Sequence, residues 1–195
     1  MKNKQQYLMY LERMLADKFP ITQRNIIIAC QSLINDDFTI LDVGCGLKIM
    51  TKLLVCKQLV GVDIWADYLT DDDIAGDIRQ LDKLVAPKSF DIVFASDIIE
   101  HLTKKEGYKL LFDMEQIAKK KIIIITPTMW SPNTEAVNDP KLWSFNNPYN
   151  YHKSTWDIED FFKLNYVQIP VNLNNELIFV IKEICDENSI SKDKI

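Results

Sequence analysis

Two acidic residues and two glycines at fixed spacing are the most informative chemical feature of this sequence. In ILDVGCGLKIMTKLL, residues 40–54, an apolar run leads into Asp42, and Gly44 and Gly46 follow at alternate positions. Glycine permits a backbone with positive φ and lets a ligand approach without meeting a Cβ atom. Asp63 ends the next apolar run, about 20 residues further on, where a carboxylate can accept hydrogen bonds from ribose hydroxyls. This order of strand, glycine turn, helix, strand and acid is typical of adenine-nucleoside binding in α/β folds.

The spacing around the glycines separates two classes of adenine-nucleoside ligand. Dinucleotide enzymes need G-x-G-x-x-G, whose third glycine lets the helix pack closely on the strand, and Ile49 occupies that position here. Asp42, two residues before the first glycine, suits the ammonium group of S-adenosylmethionine and would repel a pyrophosphate. The residues therefore favour S-adenosylmethionine, and an NAD-linked oxidoreductase is the least favoured alternative.

Alternating strands and helices are predicted to position these residues. Strands are predicted over 38–43, 58–64, 90–96, 121–127, 166–171 and 176–183. Helices are predicted over 3–18, from a Thr22 cap to about Ile34, and over 48–55, 103–119 and 153–165, the last capped by Ser154 or Thr155. Residues 65–76 are acidic and predicted to be irregular, and Asn174-Asn175 is predicted to turn a final antiparallel hairpin. The unbroken apolar runs in 90–96 and 121–127 indicate strands of a parallel sheet covered on both faces, whose ligands bind at the carboxyl ends of the strands.

Composition limits the classes of partner. The chain has 195 residues, of which 47% are hydrophobic and 26% charged, and this favours one globular domain. The net charge of −5 argues against a nucleic-acid backbone as the main partner, so a small molecule is favoured. We see no signal peptide in residues 1–14 and no run of about 20 apolar residues that could cross a bilayer.

The cysteines and histidines predict neither a disulfide framework nor a metal site. The four cysteines are Cys30, Cys45, Cys56 and Cys185. They form no C-x-x-C pair, and His101 and His152 alone give no zinc-binding spacing. A reducing, cytoplasmic setting fits this cysteine usage.

The whole chain, 1–195, is predicted to be a single domain. Residues 1–36 form N-terminal helices, 38–183 the sheet core and 185–195 a frayed tail. Residues 128–151 interrupt the pattern with prolines, asparagines and two tryptophans, which predicts a lid loop over an acceptor site.

Five sequence stretches together resemble the class I, Rossmann-like S-adenosylmethionine-dependent methyltransferases. They are ILDVGCG, VGVD, GDI, FDIVFASDIIEHL and a strand ending in TP, and they span about residues 38–183. The resemblance implies a doubly wound α/β fold with a seven-stranded, mostly parallel sheet in the order 3-2-1-4-5-7-6. Its last strand is antiparallel, and helices cover both faces.

The resemblance also implies which residues contact the cofactor. These are Asp42, Gly44, Cys45, Gly46, Asp63, Ile64, Asp77, Ile78, Ser96 and Asp97. Asp42 is implied near the amino group of the methionine part, and Asp63 at the ribose hydroxyls. Ile64 is implied to pack on the adenine, and Asp77 to accept from its amino group.

Methyl transfer to a small-molecule acceptor is therefore the leading prediction, with S-adenosylhomocysteine as product. A general base is required only if the acceptor must lose a proton, and the candidates are His152, His101, Asp97 and Glu100. Lys48 stands where the family often has a third glycine, which predicts weakened rather than lost cofactor binding. The alternative is a binding or scaffold protein that keeps the fold without catalysis. Neither the acceptor atom nor a choice between monomer and homodimer follows from the sequence.

Overall fold

A seven-stranded sheet organises the protein. The computed structural model describes residue 16 and residues 19–171 and 176–185. The strands are β1 (Thr39–Val43), β2 (Gln58–Asp63), β3 (Ile74–Ala75), β4 (Phe90–Ser96), β5 (Ala118–Pro127), β6 (Val167–Gln168) and β7 (Leu177–Glu183). Their order is β3-β2-β1-β4-β5-β7-β6, and β7 runs antiparallel to both β5 and β6. The predicted fold class and strand order are confirmed.

Apolar side chains pack on both faces of this sheet. The helices are α1 (Ile21–Leu33), α2 (Leu81–Leu84), α3 (Lys104–Ile117), α4 (Thr134–Asn138) and α5 (Ile158–Phe162). Alternate residues of β1 point to opposite faces, so that Leu41 joins the cluster containing α3, whereas Ile40 joins the cluster containing α1. The runs in β4 and β5 are apolar throughout because both of their faces are buried.

Two predicted helices are much shorter than the sequence pattern indicated. Residues 48–55 contain only a 3-10 turn, Thr51–Leu53, because Lys48 takes a left-handed backbone with φ of 51°. The predicted helix over 153–165 is limited to α5, and its N-cap is Asp157 rather than Ser154 or Thr155. Ser154 instead accepts a hydrogen bond from the Trp156 indole. The cap of α1 is also corrected, because Pro20 and not Thr22 occupies the N-cap position.

The strand predicted over 166–171 is also shorter, because only Val167–Gln168 pair with β7. The remaining differences concern irregular segments. Residues 65–76 hold a 3-10 turn, Ala66–Tyr68, and the short strand β3, which residue patterns did not predict. The 128–151 segment holds α4 and a 3-10 turn, Pro148–Asn150. Most of the predicted helix over 3–18, the turn at Asn174-Asn175 and nearly all of the tail lie outside the described residues.

None of the described helices has the length and apolar composition required to cross a membrane.

Candidate functional site

A large cavity lies at the carboxyl ends of the central strands. Its volume is about 610 Å³, within the range of roughly 300–1,000 Å³ that is usual for small-molecule sites. The lining comes from the ends of β1, β2 and β4, from the turns that follow them, and from the 128–151 segment. All ten predicted cofactor contacts and all four candidate bases line this cavity.

The glycine turn, residues 44–46, is anchored to the end of β2. Gly44 and Cys45 both donate their amide hydrogens to the Val62 carbonyl, with N–O distances of 2.8 and 3.2 Å. Gly44 has φ of 66° and Gly46 has φ of 46°, a region that glycine enters without strain. The sequence prediction that these two positions need glycine is therefore supported by their backbone geometry.

Asp42 is a buried carboxyl group at the cavity wall. Its side chain is 4% exposed and accepts a hydrogen bond from the Thr51 hydroxyl. Burial raises the pKa of Asp42 to about 7, although this bond and the charge of Lys48 oppose the rise. A ligand cation placed here would supply the positive partner that the buried carboxylate needs.

The Asp63 carboxylate lines the cavity and accepts hydrogen bonds from two turns, the glycine turn and the turn that follows β2. Its Oδ2 accepts from the amide of Gly46 at 2.9 Å, and its Oδ1 accepts from the amide of Trp65 at 2.8 Å. A carboxylate has about four acceptor positions, so about two remain for ligand hydroxyls. Asp63 therefore suits the predicted ribose contact and also shapes the glycine turn, a second role that the sequence did not indicate.

Lys48 replaces a glycine without blocking the turn, because its side chain pairs with Asp73. The Asp73 side chain is fully buried and also accepts from the amides of Gly61 and Thr70. Burial alone would raise the pKa of Asp73, but these hydrogen bonds and the one from Lys48 lower it to about 2. Where the family often has a third glycine, this chain therefore has a lysine whose ion pair joins the glycine turn to the loop before β3.

Asp77 lines the cavity, but its carboxylate already accepts hydrogen bonds from Arg79. The Arg79 Nε lies 2.9 and 2.8 Å from the two carboxylate oxygens, and Nη2 and the backbone amide add two more hydrogen bonds. These bonds lower the pKa of Asp77. The predicted contact with an adenine amino group therefore stays a prediction, and it requires Arg79 to release one oxygen. Ile64 and Ile78 also line the cavity, and Ile78 lies between the two members of this pair in the sequence.

The turn after β4 places two carboxyl groups near each other. Asp97 has φ of 52° and accepts a hydrogen bond from Ser96 at 2.9 Å. Asp97 is an exposed residue that lines the cavity, and desolvation by the surrounding protein raises the pKa of its carboxyl group. Glu100 is 2% exposed and accepts from Thr126 at 2.9 Å. Burial, followed by the charge of Asp97, raises the pKa of Glu100.

The two histidines meet edge to face, with ring centroids 4.7 Å apart at 78°. Burial, with a further contribution from the charge of His152, lowers the pKa of His101 to about 4, and burial also lowers that of His152. Both rings are therefore neutral near pH 7 and able to accept a proton. They lie 51 residues apart in the sequence, so their contact could not be predicted from local spacing.

Aromatic residues of the 128–151 segment contact the loop after β2. Trp143 packs on Tyr68 with ring centroids 5.2 Å apart, and the Tyr68 hydroxyl donates to the Trp143 carbonyl at 3.2 Å. A Cβ atom on Gly46 would lie 3.5 Å from the Trp143 ring. Trp65 and Tyr149 form a second contact, at 6.4 Å. The segment thus covers the cavity next to the glycine turn, and sequence analysis did not identify its partners Trp65 and Tyr68.

Comparison with known proteins supports the prediction of a methyltransferase. The sequence model of a methyltransferase domain matches residues 41–125. No curated protein matches the chain at the sequence level. A SAM-dependent methyltransferase from Archaeoglobus fulgidus superposes with a TM-score of 0.57 at 18% identity, covering 83% of this chain and 94% of that one.

Two further solved structures share the fold at lower identity. The complex of DhpI with SAM and HEP gives a TM-score of 0.55 at 12% identity, covering 90% of this chain and 94% of that one. The CurJ carbon methyltransferase gives 0.55 at 14% identity, covering 85% of this chain and 54% of that one. Identities this low establish the fold alone. The chain therefore has the fold of S-adenosylmethionine-dependent methyltransferases and matches a methyltransferase domain over residues 41–125, as its motifs predicted.

Proposed function

We propose that this protein binds S-adenosylmethionine in the cavity and transfers its methyl group to a small-molecule acceptor. The observation that supports this most directly is the meeting of Asp42, Asp63 and the glycine turn at one wall of the cavity. Bound there, S-adenosylmethionine supplies a methyl group on a positively charged sulfur, which is already an activated leaving group.

The donor set at this wall fits the proposed cofactor. Asp42 is buried with one hydroxyl partner, so the ammonium group of the methionine part would neutralise it. Asp63 retains acceptor positions for the ribose hydroxyls after binding two amides. Ile64 and Ile78 offer apolar surface for the adenine. Cys45 and Gly46 bring backbone next to these groups, and Ser96 and Asp97 also line the cavity.

The 128–151 segment is proposed as the lid of the acceptor site. Its aromatic contacts with Tyr68 and Trp65 join it to the cofactor side of the cavity. Closure of such a segment excludes water and aligns the reactants, and alignment can supply much of the rate of a methyl transfer. The neutral rings of His101 and His152 also line the cavity, and these residues are the preferred bases if the acceptor must lose a proton.

Calorimetric titration of the purified protein with S-adenosylhomocysteine, with NADH as control, tests the cofactor. We expect micromolar binding of S-adenosylhomocysteine and none of NADH. Binding of NADH alone would overturn the proposal in favour of a dinucleotide. Tight binding of S-adenosylhomocysteine without turnover on any acceptor of a broad panel would favour the scaffold alternative.

Affinity for S-adenosylhomocysteine should depend on the charge of Asp42. With a pKa of about 7, Asp42 is about nine-tenths ionised at pH 8 and about one-tenth ionised at pH 6. Only the ionised form attracts the ligand ammonium, so affinity should fall about tenfold from pH 8 to pH 6. Titrations at several pH values measure this slope. Asp42→Asn should bind more weakly and with a flat profile, and an unchanged slope in that variant would assign the dependence to another group.

A further inference from the structure

Three potential metal ligands meet in the cavity. One carboxylate oxygen of Glu100 and one ring nitrogen each of His101 and His152 all lie within 4.8 Å of one another. His101 and His152 are the only two histidines of the chain. Glu100, His101 and His152 all line the cavity that contains the glycine turn.

Each of these three side chains has a hydrogen-bond partner outside the cluster. The Thr126 hydroxyl donates to Glu100 at 2.9 Å, and His101 Nδ1 lies 3.3 Å from the Tyr151 carbonyl oxygen. His152 has a hydrogen bond with the backbone of Ser131. Metal-binding histidines and carboxylates are oriented in this way, by carbonyls and hydroxyls of an outer shell.

The backbone also joins the two segments that bear the ligands. The amides of Lys153 and Ser154 both donate to the Glu100 carbonyl, at 2.8 and 3.1 Å. These two hydrogen bonds place the turn that contains Glu100 and His101 next to the residues that follow His152. The cluster is thus assembled by the fold itself, from positions 51 residues apart.

We propose that Glu100, His101 and His152 bind a divalent transition-metal cation, which holds the hydroxyl group of the acceptor. Two neutral imidazoles and one carboxylate suit Mn²⁺, Fe²⁺, Co²⁺ or Zn²⁺ and leave coordination positions open. Bonds of about 2.1 Å place ligand atoms about 3–3.5 Å apart, so the most separated pair must approach by up to about 1.5 Å from its 4.8 Å limit. His152 is the least buried of the three residues, so we expect its side chain to make most of that movement.

This inference rests on the proposed function and specifies its acceptor as a hydroxyl compound, with His101 and His152 acting as metal ligands rather than as bases. A bound cation lowers the pKa of a hydroxyl that coordinates it, and the proton passes to solvent. The oxygen then forms a bond to the methyl carbon while the carbon–sulfur bond breaks, and the electron pair of that bond stays on sulfur. The products are a methyl ether and a neutral thioether, so atoms and charge balance.

Mn²⁺ binding to the full chain, after treatment with EDTA and dialysis, tests the site. Electron paramagnetic resonance measures the loss of the free-ion signal, and calorimetry gives the stoichiometry. We expect one saturable equivalent, weakened at least tenfold in Glu100→Gln and in His152→Asn. Glutamine is isosteric with the protonated form of Glu100, which its raised pKa favours, so this variant should keep its fold. Glu159→Gln, at an exposed position of α5, is the matched control and should bind Mn²⁺ normally.

Two results would overturn the metal site. One is the absence of saturable binding at millimolar Mn²⁺, and the other is equal binding by the wild type and both ligand variants. S-adenosylhomocysteine titrations in EDTA separate this inference from the proposed function. Cofactor binding without Mn²⁺ binding refutes the metal site alone, whereas Mn²⁺ binding without cofactor binding refutes the proposed function alone.

Discussion

Replacing Asp63 by alanine should weaken S-adenosylhomocysteine binding by about 2–4 kcal/mol, which is roughly 30- to 1,000-fold in dissociation constant. The variant loses the carboxylate that is proposed to accept the ribose hydroxyls. It also leaves the amides of Gly46 and Trp65 without their acceptor, so that the glycine turn is no longer held in place. Calorimetry at a temperature well below the unfolding transition measures the change.

Two further variants make the Asp63 result specific. Asp67→Ala removes an exposed acid from the same loop and should leave the affinity unchanged. Asp63→Asn keeps one carbonyl acceptor but no charge and should bind with intermediate affinity. If Asp63→Ala bound as tightly as the wild type, Asp63 would have no place in the cofactor site.

Replacing Gly44 by alanine should destabilise the fold by about 3 kcal/mol. A Cβ atom at this position would overlap the Ile98 side chain, which packs against the core. The left-handed backbone, with φ of 66°, adds about 1 kcal/mol for any residue that has a Cβ atom. Urea denaturation should therefore show a lower midpoint with an unchanged slope.

Gly46 provides a matched control for Gly44. Its φ is also positive, at 46°, but a Cβ atom there meets only the Trp143 ring, at an ordinary contact distance of 3.5 Å. Gly46→Ala should thus cost about 1 kcal/mol, the backbone contribution alone. Ile98→Ala should restore part of the stability lost in Gly44→Ala, and no restoration would show that the steric account of Gly44 is incorrect.

Sequence patterns predicted the central strands well, because burial on both faces gives those strands continuous apolar runs. The runs at β4 and β5 are apolar throughout, and both strands lie at the centre of the sheet. The order of all seven strands, in contrast, followed from the family resemblance and not from residue patterns. β3 has only two residues, too few to give a periodic pattern.

Backbone conformation, side-chain rotamers and one long-range contact explain what the sequence did not reveal about the site. Residues 48–55 have helical spacing, yet the positive φ of Lys48 limits them to one 3-10 turn. The ion pair between Asp77 and Arg79 depends on side-chain rotamers, which the sequence does not determine. The cluster of Glu100 with His101 and His152 depends on the path of the chain between distant segments. Residue types therefore predicted the candidate ligands, whereas only the fold brought them together.

The Lys48–Asp73 ion pair couples the evolution of two positions. Changing Lys48 alone to glycine would leave the fully buried Asp73 carboxylate without this cationic partner. Changing Asp73 alone would leave the Lys48 ammonium without its anionic partner, on a side chain that is only 14% exposed. It would also remove the acceptor of the Gly61 amide. Each single step passes through a less stable protein, so we expect homologues to exchange both residues together. A glycine at position 48 should accordingly predict the loss of the acid at position 73.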